Sequence, residues 1–284
     1  MTNTLLNIAG KTDPQTVVLF ETLSRIIVDL HMPYVVVGAT ARDLVLHYGH
    51  GARMQRATHD VDFAIETPSW TAFDALKDRL CEQGFKTTKV PHRLISPMDT
   101  QVDIIPFSQL EDEQTSIVWP PEDEVTMNVI GFQDACDNAE WVRIQDDPEL
   151  DIPVATPAGM ALLKFIAWTD RAKGLRSKDA MDIAYLLSTY EVIQEVVDAL
   201  YDDNNTSIME TYDWDITQAA AYLLGKHAKD IAQTNTQQEI AKLANGELGQ
   251  LNLDRLAEEM CEHIEIQYDK HRQLLTAFMA GFAE

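Results

Sequence analysis

Two hydrophobic rhythms divide this chain. Up to about residue 150, short apolar runs rich in β-branched and aromatic residues alternate with helical stretches. Beyond it, nearly every segment repeats its apolar positions at helical spacing. Asp13-Pro14 reads as an N-cap with proline at the first helical position, opening a helix through the apolar-periodic "QTVVLFETLSRIIVDLHM". "YVVVG" (34–38) reads as a short buried strand ending in a glycine turn, and "ATARDLVLHYG" as the helix that follows. "DVDFAI" (60–65) is a strand by its β-branched and aromatic content. Ser69 caps "WTAFDALKDRLCEQ", which Gly84 ends. Residues 85–90 and 93–96 read as extended, "QVDIIPF" (101–107) as a strand, and "EVTMNVIGF" and "EWVRI" as further strands. In the second half, Thr156-Pro157 starts a capped helix. "LDRLAEEMCEHI" puts Leu253, Leu256, Ala257, Met260 and Ile264 on one stripe, the pattern of a bundle core. The expected fold is α+β, with a mixed-sheet domain over 1–150, a helical domain over 151–284 and a join near 145–156.

Composition narrows the class. The 284 residues are 45% hydrophobic, enough to bury a core, and no apolar run approaches the roughly 20 residues of a spanning helix. The N-terminus lacks a basic start and an apolar h-region, so no signal peptide is expected. Cys81, Cys136 and Cys261 are widely spaced and suit reduced thiols in a cytosol. The net charge of −24 is spread, −13 before residue 151 and −11 from it onward. A field of that sign repels phosphate backbones, so a nucleic-acid partner needs a local basic surface.

Charge inside an apolar strand needs a reason. In "DVDFAI", Asp60 and Asp62 project to one face, about 6.6 Å apart along the chain, with Val61 and Phe63 facing the core. Two carboxylates so close repel unless a cation lies between them, and hard oxygen ligands favour Mg²⁺ or Mn²⁺. Asp103 in "VDIIPF" is a third acid among apolar residues. If its strand neighbours the first, the three form one cluster.

"VVVGATARDLVL", "THDVDFAI" and "QVDIIPF" together resemble the DNA polymerase β-like nucleotidyltransferase superfamily: strand, glycine turn into a helix, acid-x-acid strand, later third acid. The resemblance implies a small mixed sheet backed by helices. It also implies two metal ions held by Asp60 and Asp62, a nucleoside triphosphate as substrate, and Asp103 as metal ligand and activator of the attacking hydroxyl. Gly38 would be the phosphate-facing turn. Ala39 stands where Gly or Ser is usual, which would pass a hydroxyl contact to Thr40. The Gly-rich, basic insert "HYGHGARMQRAT" lengthens the gap to Asp60; Arg42, Arg53 and Arg56 could meet phosphate, with a solvated loop the alternative for Arg53 and Arg56.

A second stretch, "TPAGMALLKFIAWTDRAKGLRSKDAMDIAYLL" (156–187), resembles the later motifs of AbiEii-type nucleotidyltransferases of abortive-infection and toxin–antitoxin systems. Lys164 and Arg171 share a helix face, and Lys178, Asp179 and Asp182 match the following segment, with lysine in place of arginine. Residues 164–178 hold five cations and one acid, a local inversion suited to triphosphate or pyrophosphate, with Lys164 expected on the triphosphate ahead of the other four. The plainer reading is a Lys178–Asp182 ion pair on a solvated face. The resemblance leaves the acceptor open among tRNA, a protein such as a cognate toxin or antitoxin, and a small molecule. No membrane partner is expected, because no apolar run approaches spanning length.

Two rival classes remain at this stage: a D-x-D glycosyltransferase, which leaves the glycine turn and Asp103 unexplained, and an inactive nucleotide- or partner-binding module on the same fold. "GKT" (10–12) is no P-loop, since Leu5 stands where its first glycine belongs. His47 and His50 lack cysteine neighbours for zinc, and His59 points away from the acid face of a regular strand.

Overall fold

The computed structural model describes residues 5–55, 60–112, 115–120, 126–261 and 267–284. Arg56, His59, Ile264 and the "EV" that opens the expected strand "EVTMNVIGF" lie outside them. The chain divides into two units, residues 1–49 with 56–156, and residues 50–55 with 157–284.

The first unit runs β1 (Leu6–Asn7), α1 (Pro14–Asp29), β2 (Tyr34–Val37), α2 (Gly38–Arg42), β3 (Asp60–Glu66), α3 (Trp70–Glu82), β4 (Lys86–Thr87), β5 (Arg93–Ile95), β6 (Gln101–Phe107), β7 (Ser116–Val118), β8 (Thr126–Asn128), α4 (Phe132–Asp137), β9 (Glu140–Asp146) and β10 (Glu149–Val154). Eight strands form one mixed sheet in the order β1-β9-β10-β2-β3-β6-β5-β4, and β7 and β8 pair separately. β3 lies antiparallel to β2 and parallel to β6. β2 is buried on both faces, Phe63, Ile65, Val102 and Ile104 are buried on β3 and β6, and Phe20 of α1 meets Phe63 at 5.7 Å between ring centroids.

Local chemistry sets the helix starts. Asp13 accepts from the amides of Gln15 and Thr16 at 3.0 Å each, with Pro14 at the first position. Ser69 accepts from the Ala72 amide at 3.2 Å to start α3. The sequence expectation omits β1, β7, α4 and β10, and the expected strand "EVTMNVIGF" ends at Asn128 before Phe132 opens α4. The helix after β2 is α-helical only to Arg42 and continues as a π-helix over Asp43–Gly49, a widening that apolar spacing does not signal. β10 forms despite Asp151 and Pro153. Pro153 is tolerated because β10 registers with β2 only at Val154, so its missing N–H interrupts no longer ladder.

The second unit contains α5 (Pro157–Asp170), α6 (Ser177–Thr189), α7 (Gln194–Leu200), α8 (Thr206–Thr211), α9 (Ile216–Ile231), α10 (Thr234–Ala244), α11 (Leu253–Met260) and α12 (Tyr268–Ala283). α9 and α12 approach to backbone contact. A Cβ on Gly225 would lie 2.0 Å from the Phe278 carbonyl oxygen, and one on Gly281 would lie 2.0 Å from that of Tyr222. Phe278 stacks on Phe165 at 4.8 Å and on Phe282 at 6.1 Å. Residues 50–55 are tied to α6, where the Tyr185 hydroxyl donates to the Arg53 carbonyl at 2.9 Å and the Gln55 amide to the Met181 carbonyl at 3.2 Å. No described helix is long and apolar enough to cross a membrane.

Candidate active site

Strand register assembles the acids. Asp62 lies opposite Val37 across β2–β3 and opposite Asp103 across β3–β6, while Asp60 is level with Gln101. Asp60 and Asp62 are half-buried on one face, while Val61 and Phe63 are buried behind them. The chain turns towards this edge at Gly38, whose φ is +70°. A Cβ there would sit 2.0 Å from Asp62 Oδ2, so both conformation and space demand glycine. α2 begins at this turn without a side-chain cap. Its first N–H groups are of the kind that receive an anion.

Thr40 and Arg42 turn inward. The Thr40 hydroxyl donates to the Asp60 carbonyl at 2.8 Å, tying α2 to β3, so its proton is already committed. Arg42 is 1% exposed, and its guanidinium donates twice to Asp43 Oδ1, at 2.9 and 2.8 Å. It serves the interior, in contrast to the expected phosphate contact. Ala39 follows the glycine in the first turn of α2.

Asp103 is 7% exposed and has a partner that the sequence did not announce. Arg93 lies opposite it across β5–β6 and holds it in a two-toothed bridge, Nε to Oδ1 and Nη2 to Oδ2, both 2.8 Å. These hydrogen bonds, with the fields of Asp103, Asp60 and Asp62, hold the Arg93 guanidinium above its usual basicity against the opposing effect of burial. No local motif marks Arg93. Its role follows from pairing between two strands ten residues apart. Next to it, burial lowers the basicity of His92, and the field of Asp103 only partly opposes that.

The donor chemistry can be compared with a divalent cation. Among the described residues, no three His, Cys, Asp or Glu side chains converge as a cation cage. Two neighbouring carboxylates nevertheless suit Mg²⁺, which is typically bound by one or two carboxylates plus substrate phosphates. Asp60 and Asp62 provide that pair, while both oxygens of Asp103 already accept from Arg93.

In the second unit the sequence-predicted cations meet buried acids. Lys164 Nζ contacts Asp179 at 3.1 Å and Asp182 at 2.8 Å, and Arg171 contacts the other oxygen of Asp179 at 2.7 Å. Asp179 is 0% exposed and Asp182 2%. Burial, the largest influence, pushes the Lys164 ammonium down, yet the fields of Asp182 and Asp179 outweigh it and raise its pKa. The pairing considered from sequence, Lys178 with Asp182, gives way to Lys164 with Asp182, and Lys178 is exposed. Arg176 is likewise engaged by Glu259 at 2.8 Å, alongside the Trp168 indole, which donates to Glu259 at 2.8 Å.

A family model for the nucleotidyl transferase AbiEii toxin of type IV toxin–antitoxin systems matches residues 18–278. The chain belongs to the AbiEii family. The α+β fold of this AbiEii chain, a mixed sheet followed by a helical region, is the one its acid and glycine motifs imply. Solved structures with similar arrangements include the antibiotic-resistance factor ANT(2'')-Ia, at 12% identity over 71% of this chain and 99% of that one, TM-score 0.37. The Thermotoga maritima CCA-adding enzyme complexed with tRNA shares 14% identity over 98% and 85%, TM-score 0.29. A CCA-adding enzyme with CTP shares 14% over 95% and 78%, TM-score 0.26. No curated protein matches the chain.

Proposed function

We propose that this AbiEii chain moves a nucleoside monophosphate from a nucleoside triphosphate to a hydroxyl or phosphate acceptor, with Mg²⁺ or Mn²⁺ as cofactor. The observation that carries the reading is the placement of Asp60 and Asp62 on one half-exposed face beside the Gly38 turn. These two carboxylates would hold the cation, which when bound neutralises charge on the triphosphate. The uncapped N-terminus of α2, at Gly38 and Ala39, receives phosphate oxygens through backbone N–H groups. The acceptor oxygen bonds to the α-phosphorus, the bond from that phosphorus to the bridging oxygen breaks, and pyrophosphate leaves. When the acceptor is a hydroxyl, its proton passes to Asp103.

In the second unit, Lys164 and Arg171 hold Asp179 and Asp182 in place, and we assign phosphate contact first to the exposed Lys178. A net charge of −24 favours a protein or cationic small molecule over an extended RNA as acceptor. A cognate antitoxin as partner and a cytoplasmic site of action accord with the family and with the three free cysteines.

The test is incubation of purified protein with each nucleoside triphosphate, Mg²⁺, tRNA and total cell protein, read by mass spectrometry. A mass increment of one nucleotide on one acceptor class is expected. Asp60→Asn and Asp62→Asn are each expected to abolish it while the melting temperature stays near that of the wild type. Transfer that persists in both variants overturns the assignment, and transfer of a sugar from UDP-sugars instead would identify a glycosyltransferase.

A further inference from the structure

The third acid of the site is already occupied by the protein itself. Arg93 and Asp103 face each other across β5–β6, so the backbone ladder sets their separation and the guanidinium fork matches both carboxylate oxygens at 2.8 Å. The arginine side chain is 32% exposed and the aspartate 11%, so the cation lies on the solvent side of the carboxylate and covers it. Across β3–β6 the same aspartate is level with Asp62. One guanidinium therefore covers the carboxylate that is level with Asp62, and the fields of Asp60 and Asp62 both favour its charge.

We propose that Arg93 is a built-in counter-cation that competes with the divalent metal for Asp103, and that it must release this carboxylate before Asp103 can serve the metal or the acceptor hydroxyl. The proposal rests on the nucleotidyl-transfer reading, because it takes Asp60 and Asp62 as the metal pair. The arginine does in the free protein what the cation does in the loaded one: it offsets repulsion among the acids. Release is mechanically accessible. β5 has three residues and its outer neighbour β4 only two, so little ladder has to yield when the side chain swings out. A purely structural bridge makes the opposite prediction, since removing Arg93 would then loosen Asp103 and weaken metal binding.

The experiment titrates Mn²⁺ into full-length protein without nucleotide, following free Mn²⁺ by electron paramagnetic resonance. Arg93→Gln is expected to bind Mn²⁺ about tenfold more tightly than wild type, because a third carboxylate joins the ligand set. Arg93→Lys, which keeps the charge but loses the two-toothed grip, is expected to fall between the two. If Arg93→Gln does not fold, Arg93→Lys decides alone by the sign of its change. Adding Asp103→Asn should erase the gain, so that the double variant titrates like Asp103→Asn. Equal or weaker binding in the Arg93 variants overturns the gate. If such binding is still lost in Asp62→Asn, the metal-pair reading stands without the gate. Absence of Mn²⁺ binding in wild type and in every Arg93 variant overturns both, whereas binding that appears only once Arg93 is replaced supports the gate directly.

Discussion

The two units treat carboxylates in opposite ways. Asp179 and Asp182 of the helical unit are fully buried and clasped by Lys164 and Arg171, so nothing can reach them without dismantling the helix pair. Asp60 and Asp62 of the sheet unit keep partial access to solvent on one face, beside a turn that only glycine can make. Burial, more than the number of charges, separates a structural ion network from a site that can take a ligand. A buried bridge has already lost its water and is costly to break, whereas a half-exposed pair can exchange water for an incoming cation. The basic stretch 164–178 shows the consequence. Three of its five cations are used internally, Lys164 and Arg171 on Asp179 and Arg176 on Glu259.

This contrast is broken most easily at Asp179. Asp179→Asn leaves Lys164 and Arg171 without their shared partner, and the protein is expected to lose about 3–5 kcal/mol of stability in chemical denaturation, the usual cost of halving a buried ion network. Asp62→Asn should change the denaturation midpoint little while abolishing transfer. Reversal of the two results would mean that the half-exposed acids are structural and the buried ones functional.

Two glycines extend the comparison at a smaller scale. Gly225 meets backbone, so Gly225→Ala forces α9 away from α12, and about 1–3 kcal/mol should be lost through overpacking. Gly38 meets a side chain, Asp62 Oδ2, at a positive φ. Gly38→Ala should cost about 1–2 kcal/mol from the left-handed backbone alone. Its larger effect should be on Mn²⁺ binding, because the carboxylate is pushed aside. Unchanged Mn²⁺ affinity in Gly38→Ala would detach the turn from the acid pair.

Much of the sheet unit was legible in the sequence. The bounds of β6 and the alternation within β3 follow from residue type, and Asp13-Pro14 and Ser69 mark helix starts by capping chemistry that acts over three residues. What escaped depends on partners brought together by the fold. Arg93 sits on a three-residue strand too short to show a period, and its meaning comes from register with Asp103. Lys164 reaches Asp179 across 15 positions and two helices, while the sequence offers the nearer Lys178–Asp182 spacing first. The π-helical turns at Asp43–Gly49 leave no mark because their apolar residues fit either helix.

Acid provides the gentlest probe of the two units. Among the described histidines, burial lowers the pKa of His92 in the sheet unit and of His227 and His271 in the helical unit. A histidine whose folded pKa lies below its ordinary value of about 6.5 binds protons more readily when unfolded. It therefore stabilises the fold above that pH, and this contribution drains away as the pH falls from about 6.5 through the folded value. The helical unit holds two such groups against one, and a neighbouring carboxylate opposes the shift in each unit, Asp103 for His92 and Asp230 for His227. Between pH 7.5 and 5.5, rate-corrected hydrogen-exchange protection should therefore fall more in α9 and α12 than in β3 and β6. His92→Gln should remove most of the smaller change. If β3 and β6 lose protection first and still do so in His92→Gln, something other than the histidine governs the sheet unit. The distinction between the two units would then narrow.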